Sequence, residues 1–372
     1  MKKRQYFSLL ATVLISMNAC ESNDLPVQHA DSYDYITFAA KMQKEITRAR
    51  EYEGYDANKH PQTMGAFGYY NLPTHDFSST GNEIFKNETV TYDEASKCWK
   101  TNPEKKWDDY KNRNFDFFGY MPQNAQATLT KSSTSESTYV LSIPYTIPTI
   151  NDKPSPILFE KDLKQAPIIC ALPEHKIGTT AEGKEQTFER VVELKFDQTL
   201  TGYYLNFKLD TRMNKLRYFR IKGVKIGGKL PTAGNVTRTY KFNGSNWTAE
   251  DIKWTDLQTT DFDTNSGITL ENKELELKDD QYHRWGATFY AIADASFVPT
   301  IAVTYDVILQ GENGETKTRE DVTSTITLGK AFFESLDPGK TATIYPINIF
   351  IQPRYLYVLA DQDAYTGHLL IQ

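Results

Sequence analysis

The chain has 372 residues, enough for about two domains of ordinary size, and its formal charge of −6 becomes −9 if Lys2, Lys3 and Arg4 are lost. That balance argues against a nucleic-acid partner and against a polybasic grip on a membrane. With 23 Tyr and 20 Phe against 6 Met, the composition suits a β-rich protein, because aromatic side chains fit a pleated surface.

The basic start leads into an apolar run from Tyr6 to Met17, followed by Asn18, Ala19 and Cys20. A bilayer span needs about 20 apolar residues, and this shorter run meets a small residue and a cysteine instead of a basic stop-transfer flank. Residues 1–20 therefore read as an export signal that is removed, with Cys20 as the lipidation site. The alternative is an ordinary secretory signal with a chance cysteine. Two acyl chains anchor a protein stably where one does so only marginally, so the mature chain is expected on a membrane surface through its lipid alone. Residues 21–34, polar and without periodicity between Asp24 and Ser32, read as a tether.

Beyond the tether the hydrophobic pattern alternates with period two. Ile36, Phe38 and Ala40 share one face of an early strand, and Met42 continues that face. The run Phe115-Asp116-Phe117-Phe118-Gly119-Tyr120-Met121-Pro122 reads as a buried strand leaving its sheet at Pro122. Apolar Ile168 to Leu172 gives way to a polar stretch, His175 to Gln186, and a new strand is expected near Phe188. A domain boundary is placed there, giving domains at 35–180 and 181–372. Gly227-Gly228 and Asn243-Gly244 punctuate the following strands.

Val303, Tyr305, Val307 and Leu309 alternate within Ile301 to Gln310, and Gly311-Glu312-Asn313-Gly314 then gives a type I′ hairpin signal before a polar return through Thr316 to Thr327. Helical spacing is confined to short pieces such as Lys330 to Leu336, closed by Asp337-Pro338-Gly339. The segment 355–372 alternates again, with Tyr355, Tyr357 and Leu359 on one face and Leu369 and Ile371 near its tip. It reads either as a strand free to leave its own domain or as a final hairpin turned at Asp361 to Gly367. Regular strand and turn spacing without long intervening helices predicts an all-β protein of two tandem antiparallel β-sandwich domains with Greek-key connections.

Motifs for chemistry are absent. The six histidines are scattered without a His-x-x-x-His pair, and neither a Gly-x-Ser-x-Gly elbow nor a phosphate-cradling glycine loop occurs. Asp261, Asp263, Asn265, Gly267 and Glu271 approach a calcium loop, but glycine and glutamate fall at the seventh and eleventh positions, not the sixth and twelfth. Carboxylates are abundant, yet abundance is weak evidence for a glycosidase pair. The reading is a non-enzyme without metal or cofactor. Cys98 and Cys170 remain beside Cys20; an oxidising compartment permits a disulfide between them, and two buried free thiols fit equally. The five tryptophans, Trp99, Trp107, Trp247, Trp254 and Trp285, read as core or rim packing or as a sugar-stacking platform.

In order along the chain stand the lipobox at Cys20, Ile36-Thr37-Phe38, Thr47-Arg48-Ala49, Met64-Gly65-Ala66-Phe67-Gly68-Tyr69 and Val90-Thr91-Tyr92 before Trp99. The Phe115 to Pro122 run follows, and Pro338-Gly339-Lys340 leads into the strand Tyr345 to Ile351. This series resembles the fimbrillin-like lipoproteins, subunits of type V surface pili in Gram-negative bacteria. The resemblance implies transthyretin-like β-sandwich domains, an outer-membrane lipid anchor and later residence in a cell-surface fimbrium. It further implies an arginine-specific processing protease cutting at Arg48-Ala49 or Arg50-Glu51, and release of the strand carrying Ile36, Phe38, Ala40 and Met42. A donor strand from another pilus subunit would refill the groove, with Tyr355, Tyr357, Leu359, Leu369 and Ile371 as candidate donor residues, and a host glycan or protein would be the receptor. The alternative function is a monomeric outer-membrane glycan-binding lipoprotein.

Overall fold

The computed structural model describes residues 35–44, 51–70, 82–107, 113–132, 137–149, 155–178, 189–210, 217–263, 267–292, 297–311, 314–328, 344–352 and 368–370. The expected signal, tether, Lys330 to Leu336 helix and most of 355–372 lie outside those residues. Among the described residues the chain is all-β, and no helix is long and apolar enough to cross a membrane.

The first strands are β1 (Thr37–Gln43), β2 (Tyr52–Gly54), β3 (Thr63–Tyr70), β4 (Glu83–Asp93), β5 (Cys98–Thr101), β6 (Asn114–Met121), β7 (Thr128–Lys131) and β8 (Thr138–Thr146). There follow β9 (Leu158–Phe159), β10 (Ile168–Cys170), β11 (Glu174–Ile177), β12 (Val191–Gln198), β13 (Thr201–Leu209), β14 (Arg217–Phe242), β15 (Trp247–Ala249) and β16 (Lys253–Phe262). The last are β17 (Ile268–Leu270), β18 (Leu275–Leu277), β19 (His283–Ala291), β20 (Thr300–Gly311), β21 (Gly314–Thr327), β22 (Ile344–Gln352) and β23 (His368–Leu370).

They form three sheets. The first runs β10-β12-β1-β5-β4-β3-β6-β11, with β2 paired to β1. Because Ile168 and Ile169 of β10 also pair with Met121 and Tyr120 of β6, this sheet closes on itself into a barrel, where the sequence suggested an open sandwich layer. Closure removes the exposed edges that an open sheet of this length would present. The second sheet runs β23-β22-β13-β19-β9, and the third runs β21-β20-β14-β8-β7 with β15 to β18 also on β14. Not every pairing is antiparallel as expected: β1 with β12, β13 with β22 and β22 with β23 are parallel.

The Phe115 to Pro122 run forms β6 with a buried interior, and the Ile301 to Gln310 alternation forms β20, joined to β21 through paired Gly311 and Gly314. Two readings change. The polar stretch after Leu172 holds a short strand, β11, because its backbone completes the pairing of β6 from Asn114 to Phe117. Gly227-Gly228 does not end a strand, since β14 continues through it for 26 residues. Gly228 sits at φ +101°, and a Cβ there would lie 2.9 Å from the Val298 carbonyl, so only glycine lets the strand redirect without interruption. On one side of this point β14 pairs with β20 and on the other with β8.

Two buried clusters result. One fills the barrel and the space between it and β8, β15 and the second half of β14, including Phe38, Trp99, Phe117, Leu194 and Tyr240. The other lies between the five-stranded sheet and the first half of β14 with β20, including Leu205, Trp285, Tyr305 and Ile349.

Candidate functional site

β1 occupies a through-position in the barrel wall, held on both sides. Thr37 to Met42 align with Val191 to Phe196 of β12, while Phe38 pairs with Trp99 of β5 and Ile36 N–H donates to the Lys105 carbonyl at 2.7 Å. Alternation sends Ile36, Phe38, Ala40 and Met42 inward, each at most 8% exposed. The Phe38 ring packs on Phe85 at 5.6 Å and edge-on to Phe117 at 5.9 Å. Facing outward, Lys41 reaches Glu193 at 2.9 Å, a half-exposed pair of little energetic weight.

At its far end β1 turns back into β2. Lys44 N–H donates to the Glu51 carbonyl at 2.8 Å, and Lys41, Met42 and Gln43 pair with Gly54, Glu53 and Tyr52. The six residues between Lys44 and Glu51 carry Arg48, Ala49 and Arg50 and lie outside the described residues. Both flanking side chains, Lys44 and Glu51, are about half exposed. Cys20, Tyr355, Tyr357, Leu359 and Ile371 likewise lie outside. Leu369 belongs to β23, whose three residues pair with Phe350, Ile351 and Gln352 at one edge of the second sheet.

Behind the β1–β2 hairpin lies a buried polar network that no local pattern announces. Tyr52 donates its hydroxyl to Asp197 Oδ1 at 2.7 Å, and Arg238 reaches Asp197 Oδ2 at 2.6 Å, both members of the ion pair being 1% exposed. The guanidinium also donates to the carbonyls of Cys170 and Glu250, so this charge is neutralised and hydrogen-bonded, as a buried charge must be. A second cluster joins the barrel to β15: Trp247 Nε1 donates to Asp116 Oδ1 at 2.7 Å, and His175 Nδ1 lies 2.7 Å from the same oxygen. Asp116 Oδ2 is buried without a hydrogen-bond partner. Burial raises the Asp116 pKa above the usual carboxylate value, with His175 and Trp247 offsetting part of the shift. Partners 131 residues apart leave no spacing signal in sequence.

The remaining candidates resolve as follows. Cys98 and Cys170 are both free and buried; the Cys170 thiol is raised by burial and lies 3.1 Å from the Tyr240 hydroxyl. All five tryptophans are at most 9% exposed, so the sugar-stacking platform of tryptophans does not form. They serve the cores instead: Trp99 packs on Tyr55 and Tyr92, and Trp285 donates to the Leu270 carbonyl. Among the described residues no group of three or more His, Cys, Asp or Glu could hold a metal ion. Asn265 of the calcium-like loop lies outside them.

No family model matches the chain, and no curated protein matches it. Solved structures do. A fimbrial protein from Bacteroides vulgatus is 16% identical at a TM-score of 0.43, covering 84% of this chain and 95% of that one. A candidate cell adhesion protein from Bacteroides ovatus is 12% identical at a TM-score of 0.37, with coverage of 86% and 92%. Another from Parabacteroides distasonis is 9% identical at a TM-score of 0.32, with coverage of 79% and 86%. These solved structures are of fimbrial and candidate cell adhesion proteins.

Proposed function

We propose that the chain is a structural or adhesive subunit of a cell-surface pilus, exported as a lipoprotein on Cys20 and assembled by strand exchange after a cut at Arg48-Ala49 or Arg50-Glu51. The observation that carries this reading is the position of β1, a strand in the barrel wall with partners on both sides and a return loop that holds both arginines. A cut in that loop severs β1 from everything C-terminal to it while leaving its hydrogen bonds in place. Once β1 leaves, β12 and β5 face an apolar slot with unpaired backbone on each side, a state that demands a replacement strand. Burying three large side chains such as Ile36, Phe38 and Met42 contributes about 1.5 to 3 kcal/mol each, roughly 5 to 9 kcal/mol before ordering costs. The same burial keeps the uncut chain closed and makes an incoming strand bind.

In this reading residues 1–20 are removed, 21–34 form the tether, and 35–180 and 181–372 are the tandem β-domains, with β12 of the second completing the barrel of the first. An arginine-specific protease, other pilus subunits and a host glycan or protein are the partners. The test is limited trypsin digestion of the ectodomain beginning at Glu21, beside an Arg48→Ala, Arg50→Ala double variant, followed by intact mass and electron microscopy. Cleavage confined to Arg48 or Arg50, with filaments or ladders only from the cleavable chain, is expected. Polymers formed equally by the double variant would overturn the cleavage step.

A further inference from the structure

The five-stranded sheet turns one face to the second buried cluster and the other to solvent. Along β13 the inward residues Tyr203, Leu205, Phe207 and Leu209 are at most 2% exposed, while Tyr204, Asn206 and Lys208 between them are half-buried and point the other way. The register carries that outer face across three strands: Arg284 of β19 stands on one side of Asn206, and Asn348 of β22 stands on the other. Arg284 and Asn348 are exposed. Tyr282, just before β19, is 50% exposed, the most open large hydrophobic side chain among the described residues.

Both cations on this face are held by rings and not by carboxylates. Arg284 lies over the Tyr204 ring at 4.6 Å and donates to the Thr288 hydroxyl at 2.7 Å, and Lys208 lies over the Tyr282 ring at 5.2 Å. Among the described residues neither has a carboxylate partner. The chain has a net charge of −6, and other cations such as Lys41, Lys222 and Lys278 each meet an acid, so two unmatched positive charges give this face the sign opposite to that of the whole molecule. The adjoining turn carries Asp279 and Asp280, but both are engaged there: Asp279 Oδ1 lies 2.7 Å from His283 Nε2, and Gln281 Nε2 donates to Asp280 Oδ1 at 3.1 Å. In the middle of the face Asn206 Nδ2 donates to Asn348 Oδ1 at 3.1 Å, which leaves the Asn206 amide oxygen and the Asn348 amide hydrogens open to a ligand.

We propose that this outer face of β13, β19 and β22 binds a carboxylate-bearing glycan. Arg284 takes the carboxylate, the Asn206 and Asn348 amides take neighbouring hydroxyls, and the Tyr282 ring packs against the C–H face of a sugar. A guanidinium presents a planar fork that fits a carboxylate bidentately, and Tyr204 already holds this one in place, so less freedom is lost on binding. A side-chain amide both donates and accepts, as a sugar hydroxyl does, and a tyrosine ring offers flat, rigid contact area. An acidic peptide would satisfy the cations but leave the amide pair and the open ring without a role. The inference rests on the adhesive part of the reading above and adds a receptor class and its site; it needs neither the cut nor strand exchange.

Calorimetric titration of the uncut ectodomain beginning at Glu21 tests it. The probes are sialyllactose and a polygalacturonate oligomer, beside lactose and the methyl-esterified oligomer as their neutral counterparts. An acidic probe should bind roughly 10- to 100-fold more tightly than its neutral counterpart, the range of a charge-assisted hydrogen bond, and which of the two binds tells a sialic acid from a uronic acid. Arg284→Gln should bring the acidic probe down to its neutral counterpart, and Asn348→Ala and Tyr282→Ala should weaken both. Lys253→Gln, which removes an exposed cation on β16, should change neither. Equal binding of acidic and neutral probes overturns the carboxylate, and tight binding that survives Arg284→Gln overturns the site. Binding of no probe, binding of polyglutamate instead, or self-association that Arg284→Gln abolishes overturns the glycan. The comparison of acid with ester uses the unaltered chain, so a variant that fails to fold does not mask the result. Filaments from the trypsin-cut chain with no glycan bound would leave the pilus reading standing while this inference falls.

Discussion

Phe38→Ala is the sharpest perturbation of β1. The ring is fully buried and contacts Phe85 and Phe117 at centroid distances of 5.6 and 5.9 Å. Truncating a buried phenylalanine to alanine costs about 3 to 5 kcal/mol, and two aromatic pairs at about 0.5 to 1.5 kcal/mol each push this site toward the upper half. Urea denaturation of the uncut protein should therefore show a loss of about 4 kcal/mol with an unchanged m-value, while Lys41→Ala, which removes only a half-exposed ion pair with Glu193, should cost less than about 1 kcal/mol. In the cut protein the same 4 kcal/mol becomes roughly a thousandfold weaker hold on the fragment, since each 1.4 kcal/mol is a factor of about ten. Size-exclusion chromatography over a time course after trypsin should then find the Phe38→Ala fragment released well before the native one. A cost near zero in the uncut protein would refute the reasoning, because it would mean that β1 is not seated in the barrel wall.

Breaking the buried ion pair from one side should cost far more than trimming its edge: Asp197→Ala strands the Arg238 charge for about 3 to 5 kcal/mol, whereas Tyr52→Phe costs about 1 kcal/mol in the same denaturation assay. Asp116 carries a raised folded pKa, so the folded state holds its proton to higher pH than the unfolded chain does. Stability contributed by this group is full below the unfolded pKa and declines as pH rises toward the folded one, and Asp116→Asn should flatten that part of the stability-versus-pH curve; an unchanged difference between the two proteins across it would count against the assignment. A Cβ at Gly65 would lie 2.3 Å from the Tyr120 ring, which is itself tied to Asn87 and Asn124, so Gly65→Ala should lower stability by about 1 to 3 kcal/mol in thermal melts. Ellman's reagent should label Cys98 and Cys170 only after denaturant is added, and reductant should leave the melting temperature unmoved.

The sequence is most legible where structure is local. Ile36, Phe38, Ala40 and Met42 reveal an inward face through their spacing alone, and the glycines at 311 and 314 mark a hairpin because the turn and its strands are contiguous. Barrel closure depends on Ile168 and Ile169 meeting Met121 and Tyr120, a pairing across distant segments that period two cannot report. β11 was hidden because Glu174, His175 and Lys176 are polar, and their backbone pairing with β6 is what makes them a strand. Gly227-Gly228 looks like a strand end in sequence because glycine marks both turns and bends within a strand, and the neighbouring Val298 carbonyl is what requires glycine inside β14. Arg238 and Asp197 stand on different strands 41 residues apart, so an ion pair that anchors the barrel was invisible as two ordinary charges.

β14 also decides how the molecule bears load. Its 26 residues are bonded to β8 along one half and to β20 along the other, with no break in the covalent strand between them. A pull along it is resisted by many backbone hydrogen bonds strained together in shear, and those bonds cannot be opened one at a time from an end. Forced unfolding is governed by the unfolding rate and not by equilibrium stability, so the load that β14 bears is read from pulling rates and not from a melt. Tension applied along β14 therefore loads the partners of both halves, β8 and β20, at once.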